Sequence, residues 1–126
     1  MIIDTHVLLW WLESSPRLSR RVTRILTEGD ETMFWSVASS WEVAIKVSSG
    51  RLVLPRPYAE LVDKVIPGEG LDLLQISNAH LLQVAALPHH HHDPFDRMLI
   101  AQAIVERLPV ITADPSFEDY DVKIVW

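Results

Sequence analysis

The sequence predicts an α/β protein, a three-layer α/β/α sandwich around a central parallel sheet of four or five strands. Three observations carry this. The strand candidates are short apolar runs rather than polar–apolar alternations, helical spacing recurs between them, and turn residues separate the two. Met1–Ile3 is apolar and ends at Asp4. Leu18, Val22, Ile25 and Leu26 then fall at i, i+4, i+7 and i+8, the spacing of one helix face. Thr32–Trp35 follows the turn signal Gly29-Asp30 as a second strand. Trp41, Ala44, Ile45 and Ser48 mark a helix that Gly50 can stop. Ala59–Ile66 reads as helix, Leu73–Ile76 as a fifth strand candidate, and Asn78–Leu87 and Phe95–Leu108 as two further helices. Pro109–Thr112 and Val122–Val125 are rich in β-branched residues and close the series as strands.

The length of 126 residues suits one domain, and no repeat or linker divides it, so residues 1–126 are read as a single unit. At 48% hydrophobic and 22% charged, the composition argues against general disorder. Eleven Lys and Arg against 17 Asp and Glu leave a net charge of −6, which excludes a globally basic nucleic-acid clamp. The absence of cysteine removes disulfides, thiolate catalysis and Cys-ligated metals, and fits a reducing compartment. Asp4 stands where a signal peptide would carry basic residues, and the longest nearly apolar run, Met98–Val105, is interrupted by Gln102. That run is far below the ~20 residues of a membrane span. The expectation is a cytoplasmic protein without a membrane partner.

Ligands of open parallel sheets bind at the carboxyl ends of the strands. Asp4 directly follows the first strand, and Asp114 follows Pro109–Thr112 with one residue between. Two more acids start helices. Ser39-Ser40-Trp41-Glu42 matches a capping box, in which Glu42 would reach back to the amide of Ser39. Asp93-Pro94-Phe95-Asp96 is a helix start with Asp93 as its cap. Turns and caps account for each acid singly. In a parallel sheet, however, strand ends and helix starts share one edge, so Asp4, Glu42, Asp96 and Asp114 should converge. Four carboxylates in one pocket repel unless a cation sits among them, and carboxylate oxygens suit Mg²⁺ or Mn²⁺.

The chain resembles the PIN-domain ribonucleases, in particular the VapC-type toxins of bacterial toxin–antitoxin pairs. The likeness runs through IIDTHVLLWWL, SVASSWEVAIKVSSGRL, LPHHHHDPFDRMLIAQAIVERLPVITAD and FEDYDVKIVW, with DPFDRMLIAQA its most specific element. The resemblance implies that Asp4, Glu42, Asp96 and Asp114 are catalytic metal-binding acids. It also implies Mg²⁺- or Mn²⁺-dependent endonucleolytic cleavage of RNA, a homodimer, and a small antitoxin partner with an amphipathic segment. Many PIN domains carry a further acid two positions after the last, where this chain has Ser116. Thr112, Ser39 and Thr5 are candidate supporting residues beside the acids. Arg97 is a candidate to contact phosphate or pair with a carboxylate.

Asp93 is read as a cap rather than a ligand, and the tract His89–His92, which lacks metal-ligand spacing, as a solvated loop, with a substrate-phosphate role for about His90 and His91 as the alternative that the resemblance implies. Arg17, Arg20, Arg21 and Arg24 recur at one helix face, either as an ordinary solvated surface or as a phosphate-binding strip. Trp10, Trp11 and Trp35 are read as exposed aromatics that would suit an apolar groove, and Trp10, Trp11 and Trp41 as candidates to stack on bases, although Trp at helical spacing more often belongs to a core or interface. Two other classes compete: a phospho-acceptor receiver module, and an inactive PIN domain used for binding. Against the receiver, Asp4 stands alone rather than in an acidic pair, and no lysine ends a late strand.

Overall fold

The computed structural model describes residues 1–126. Five parallel strands form one sheet in the order β3-β2-β1-β4-β5. They are β1 (Ile2–Ile3), β2 (Met33–Ser36), β3 (Leu71–Leu74), β4 (Val110–Ile111) and β5 (Ile124–Val125). Ile2 and Ile3 pair with Phe34 and Trp35 on one side and with Val110 and Ile111 on the other. The fifth strand candidate forms, shifted two residues toward the N-terminus, because Gly70 closes the preceding helical segment and frees Leu71 to pair with Met33.

The central strands β1 and β4 are apolar throughout because both faces are covered, whereas the edge strand β3 exposes Asp72 and Leu73. Ile3, Trp35, Ile111 and Val125 enter one core with Val7, Val22 and Val43. Ile2, Val110 and Ile124 face a second core with Leu99, Ile100 and Phe117. Period-two alternation therefore separates two apolar layers rather than core from solvent.

The helices are α1 (Thr5–Leu12), α2 (Arg20–Glu28), α3 (Val37–Ser48), α4 (Tyr58–Glu60), α5 (Ile66–Gly68), α6 (Asn78–Ala86) and α7 (Pro94–Glu106). A π-helical turn, Leu61–Val65, joins α4 to α5. Helical periodicity does not reveal α1, since Val7 and Leu8 are fully buried and Leu9–Leu12 half-buried, leaving only His6 exposed. In α7 the five residues Leu99–Ala103 are all buried, because α6 covers the side turned away from the sheet.

The structure corrects the reading of the α3 start. Ser36, not Ser39, is the N-cap, and its hydroxyl accepts from the Ala38 amide at 3.0 Å. Strand β2 runs into α3 without a loop, so the cap falls three residues before the S-x-x-E pattern and Glu42 has no capping role. Arg17 lies before α2 rather than on its face, with its guanidinium over the Trp10 ring. Trp35 is fully buried, its Nε1 donating to Ser40 Oγ at 2.7 Å, and is no groove residue. No helix is long and apolar enough to cross a membrane.

Candidate active site

The chain leaves β1 toward β2 and β3, then returns to place β4 on the other side of β1. The crevice beyond the carboxyl ends of β1 and β4 is therefore a topological switch point, where such sheets hold ligands. Asp4 and Asp114 both sit there. Asp4 is buried, and the Thr112 hydroxyl donates to its Oδ2 at 2.7 Å. The same Thr112 oxygen accepts from the Asp114 backbone N–H at 3.0 Å. One β-branched residue thus ties the first strand's acid to the fourth strand's. Asp114 in turn caps the 3₁₀ turn Pro115–Asp119, its Oδ1 accepting from the Ser116 amide at 2.8 Å.

The other two acids come from helices, Glu42 from the second turn of α3 and Asp96 from the first turn of α7. Glu42 is buried on the inner face of α3 and pairs with Lys46 one turn later. Asp96 lies in the first turn of α7, next to the cap Asp93, whose carboxylate accepts from the amides of Phe95 and Asp96 at 2.9 and 3.1 Å. Asp93 therefore serves as the cap that the sequence predicts. Burial, with the charge of Glu42 acting in the same direction, raises the Asp4 carboxyl above its ordinary range against the opposing Thr112 hydrogen bond. Burial also lifts Asp96 to about 6, helped by Asp4 and Asp93 and opposed by His91. Asp4 and Asp96 thus share an electrostatic environment that disfavours their charged forms.

The histidine tract departs from its reading as a solvated loop. His91 is half-buried, and its Nε2 lies 2.6 Å from Asp96 Oδ2. Single ligand atoms of His91, Asp96 and Asp114 all fall within 4.8 Å of one another, the geometry of a metal-ligand group. No spacing rule marks His91, because its approach depends on the loop folding back over the start of α7. Lys46 was equally unmarked as a site residue, although its i, i+4 offset from Glu42 is a readable signal.

Arg97 is corrected as well. It is buried and contacts no acid. Its guanidinium donates to the carbonyls of Val84, Leu87, Pro88 and His91 at 2.8–3.2 Å and lies 3.4 Å from the Tyr120 hydroxyl. Those carbonyls belong to the C-terminal end of α6 and the histidine loop, which attract a cation and leave none of it for phosphate.

Three buried hydroxyls, those of Thr5, Ser39 and Ser116, have no hydrogen-bond partner. Thr5 follows Asp4, Ser39 lies one turn before Glu42, and Ser116 lies two residues after Asp114. Buried hydroxyls are rarely left unpaired. Orphaned hydroxyls beside hard carboxylate oxygens fit a hydrated divalent cation, whose waters would satisfy them.

The PIN domain family profile matches residues 1–123. Among curated proteins, Ribonuclease VapC22 of Mycobacterium tuberculosis is 28% identical over 116 residues, covering 90% of this chain and 86% of that protein. Among solved structures, DNA-bound VapBC from Salmonella typhimurium superposes with a TM-score of 0.74 at 15% identity, covering 98% of this chain and 95% of the other. FitAcB from Neisseria gonorrhoeae gives 0.70 at 20% identity, covering 99% and 96%.

Proposed function

This chain belongs to the PIN domain family, and from that premise we propose that it is a divalent-metal-dependent endoribonuclease, the toxin of a toxin–antitoxin pair. The observation that carries the reading is the cluster at the switch-point crevice: Asp96 and Asp114 lie with His91 within metal-ligand reach, and the charge of Asp4 acts on Asp96 as that of Glu42 acts on Asp4. The name of the VapC22 relative supports ribonuclease activity. The VapBC and FitAcB neighbours support an antitoxin partner, and the resemblance to VapC-type toxins supports a homodimer.

In this reading Asp4, Glu42, Asp96 and Asp114 would hold Mg²⁺ or Mn²⁺. Such a cation supplies charge neutralisation on the phosphate and a more acidic water. The protein's share is positioning. Thr112 fixes Asp4 and the backbone of Asp114 in one hydrogen-bonded unit. Lys46 offsets the charge of Glu42. The hydroxyls of Thr5, Ser39 and Ser116 are available to orient water or a phosphoryl oxygen. His91, bonded to Asp96, either joins the ligands or holds Asp96 in place. Hydrolysis leaves a 5′-phosphate and a 3′-hydroxyl.

The test is RNA cleavage by purified protein in Mg²⁺, in Mn²⁺ and in EDTA. Asp4→Asn, Glu42→Gln, Asp96→Asn and Asp114→Asn should each lower kcat/KM by about 10² or more while the fold persists, since each removes charge and keeps shape. Undiminished cleavage in excess EDTA, or by Asp4→Asn, overturns the assignment. Metal-dependent binding without cleavage would mark an inactive PIN domain.

A further inference from the structure

Of the five tryptophans, four are engaged. Trp35 is fully buried, and the Trp11 Nε1 donates to Glu69 at 2.8 Å. Trp10 and Trp126 meet edge to face at 6.1 Å between centroids, and the Arg17 guanidinium lies 5.7 Å from the Trp10 centroid. Trp41 is different. It is 59% exposed, and its ring contact is a T-shaped one with Phe95, at 5.2 Å between centroids and 82° between planes. Such a contact takes up at most one face of the indole and leaves the other to solvent.

The position of this pair relates it to the acids. Trp41 precedes Glu42 on α3, and Phe95 precedes Asp96 on α7. Successive helical residues are turned by about 100°, so each aromatic stands roughly a quarter turn round from its acid. Glu42 is buried while Trp41 is exposed, and Phe95 and Asp96 are both half-buried, so Trp41 stands at the solvent side of the turn that carries Glu42, against the residue next to Asp96. The edge-to-face contact is worth about 0.5–1.5 kcal/mol and restrains the indole, so little ordering remains when something stacks on it.

We propose that Trp41, braced by Phe95, is the stacking platform for one unpaired nucleobase of the RNA strand whose phosphate enters the acid crevice. This rests on the nuclease reading above and narrows its substrate class to RNA that is single-stranded at the cut. Every base has a π-face, so stacking accepts any sequence, but a base inside a duplex is already stacked and cannot splay onto an exposed indole. No positive charge is needed at this point, which suits a chain with a net charge of −6.

The experiment measures kcat and KM in Mn²⁺ on a short single-stranded oligoribonucleotide and on copies carrying one abasic position each. Wild type, Trp41→Ala and Trp41→Phe are compared, with light scattering on each. Base stacking contributes about 1–3 kcal/mol, so Trp41→Ala should raise KM on the order of 5- to 100-fold. kcat should stay within about twofold, and Trp41→Phe should recover most of the loss. One abasic position should raise the wild-type KM by a similar factor and add nothing in Trp41→Ala. An unchanged KM in Trp41→Ala overturns the platform and leaves the nuclease standing. So does an equal further loss at every abasic position. If Trp41→Ala instead dissociates a wild-type dimer while RNA kinetics are unaltered, the indole is a contact between copies. A wild type that neither cuts nor binds the RNA removes the nuclease reading and the platform together.

Discussion

Asp96 and Arg97 are neighbours in the first turns of α7 and face opposite environments. Asp96 points into a crevice of like charges, where burial and the carboxylates of Asp4 and Asp93 lift it to about 6. Arg97 is buried too, yet every contact of its guanidinium is an oxygen placed to receive it. Electrostatic cost is concentrated on one side of the helix. A satisfied network on the other side holds the histidine loop and the end of α6 in place. The arrangement separates ligand binding from structural support within two consecutive residues, and substitutions at the two should therefore move stability in opposite directions.

The largest effect should come from the satisfied side. Arg97→Ala leaves four carbonyls at the α6–α7 junction without their donor. Each buried orphan costs about 1–3 kcal/mol, some of it recovered by water, so denaturant unfolding should show a loss of about 3–5 kcal/mol. Arg97→Lys keeps the charge but not the planar fork, and should lose less. If Arg97→Ala unfolds like wild type, the carbonyl network is not what supports the loop.

Asp96→Asn should do the reverse in the absence of metal. The Asp96 carboxyl is raised from 3.8 to about 6 in the folded protein. Its contribution to stability is therefore fully present below about pH 4 and lost as pH rises through 6. At about 1.4 kcal/mol per unit the difference approaches 3 kcal/mol. The apo wild type should lose stability between pH 4 and 7 relative to Asp96→Asn, and the variant should be at least as stable at pH 7. A variant that is less stable at pH 7 and equal at pH 4 would reverse the sign and break the comparison.

Metal should erase part of that gap. A ligand at a hundredfold excess over its Kd stabilises the folded state by about 2.7 kcal/mol, so wild type should melt higher in Mn²⁺ than in EDTA. Asp96→Asn, lacking one charged ligand, should respond much less. Equal melting of wild type in the two buffers means that the acids do not share a cation.

The same helix shows what the sequence could and could not disclose. The positions of Asp4 after β1, Asp96 at the start of α7 and Asp114 after β4 were legible because strand ends and helix starts share one edge of a parallel sheet. The layers and all five strands were legible from short apolar runs between turn signals. Arg97 was misread because an arginine next to a site acid looks like a phosphate ligand. Only tertiary packing reveals the carbonyls that enclose it. The contact of His91 with Asp96 was not legible because it spans a helix start, where no periodicity applies. The S-x-x-E pattern at Ser39–Glu42 misled because Ser36, at the end of β2, caps the helix first. Helix α1 escaped because it is apolar on nearly every side.

The smallest effect separates the two acids that bracket the start of α7. Asp93 gives its carboxylate to the amides of Phe95 and Asp96, so its role is a hydrogen-bond acceptor at the N-cap and its charge is incidental. Asp93→Asn keeps the acceptor and should change stability by only a few tenths of a kcal/mol, whereas Asp93→Ala loses the cap at about 1 kcal/mol. Asp93 also raises Asp96 through its charge. Removing that charge should let Asp96 ionise at lower pH, shifting the acid limb of the RNA-cleavage profile downward while leaving most activity at pH 7 intact. The shift needs both halves of the comparison: a cap that tolerates neutralisation, and a neighbour whose ionisation is held back by surrounding carboxylates. Loss of cleavage in Asp93→Asn comparable to that in Asp96→Asn would instead make Asp93 a ligand, and the division of labour along this turn would have to be redrawn.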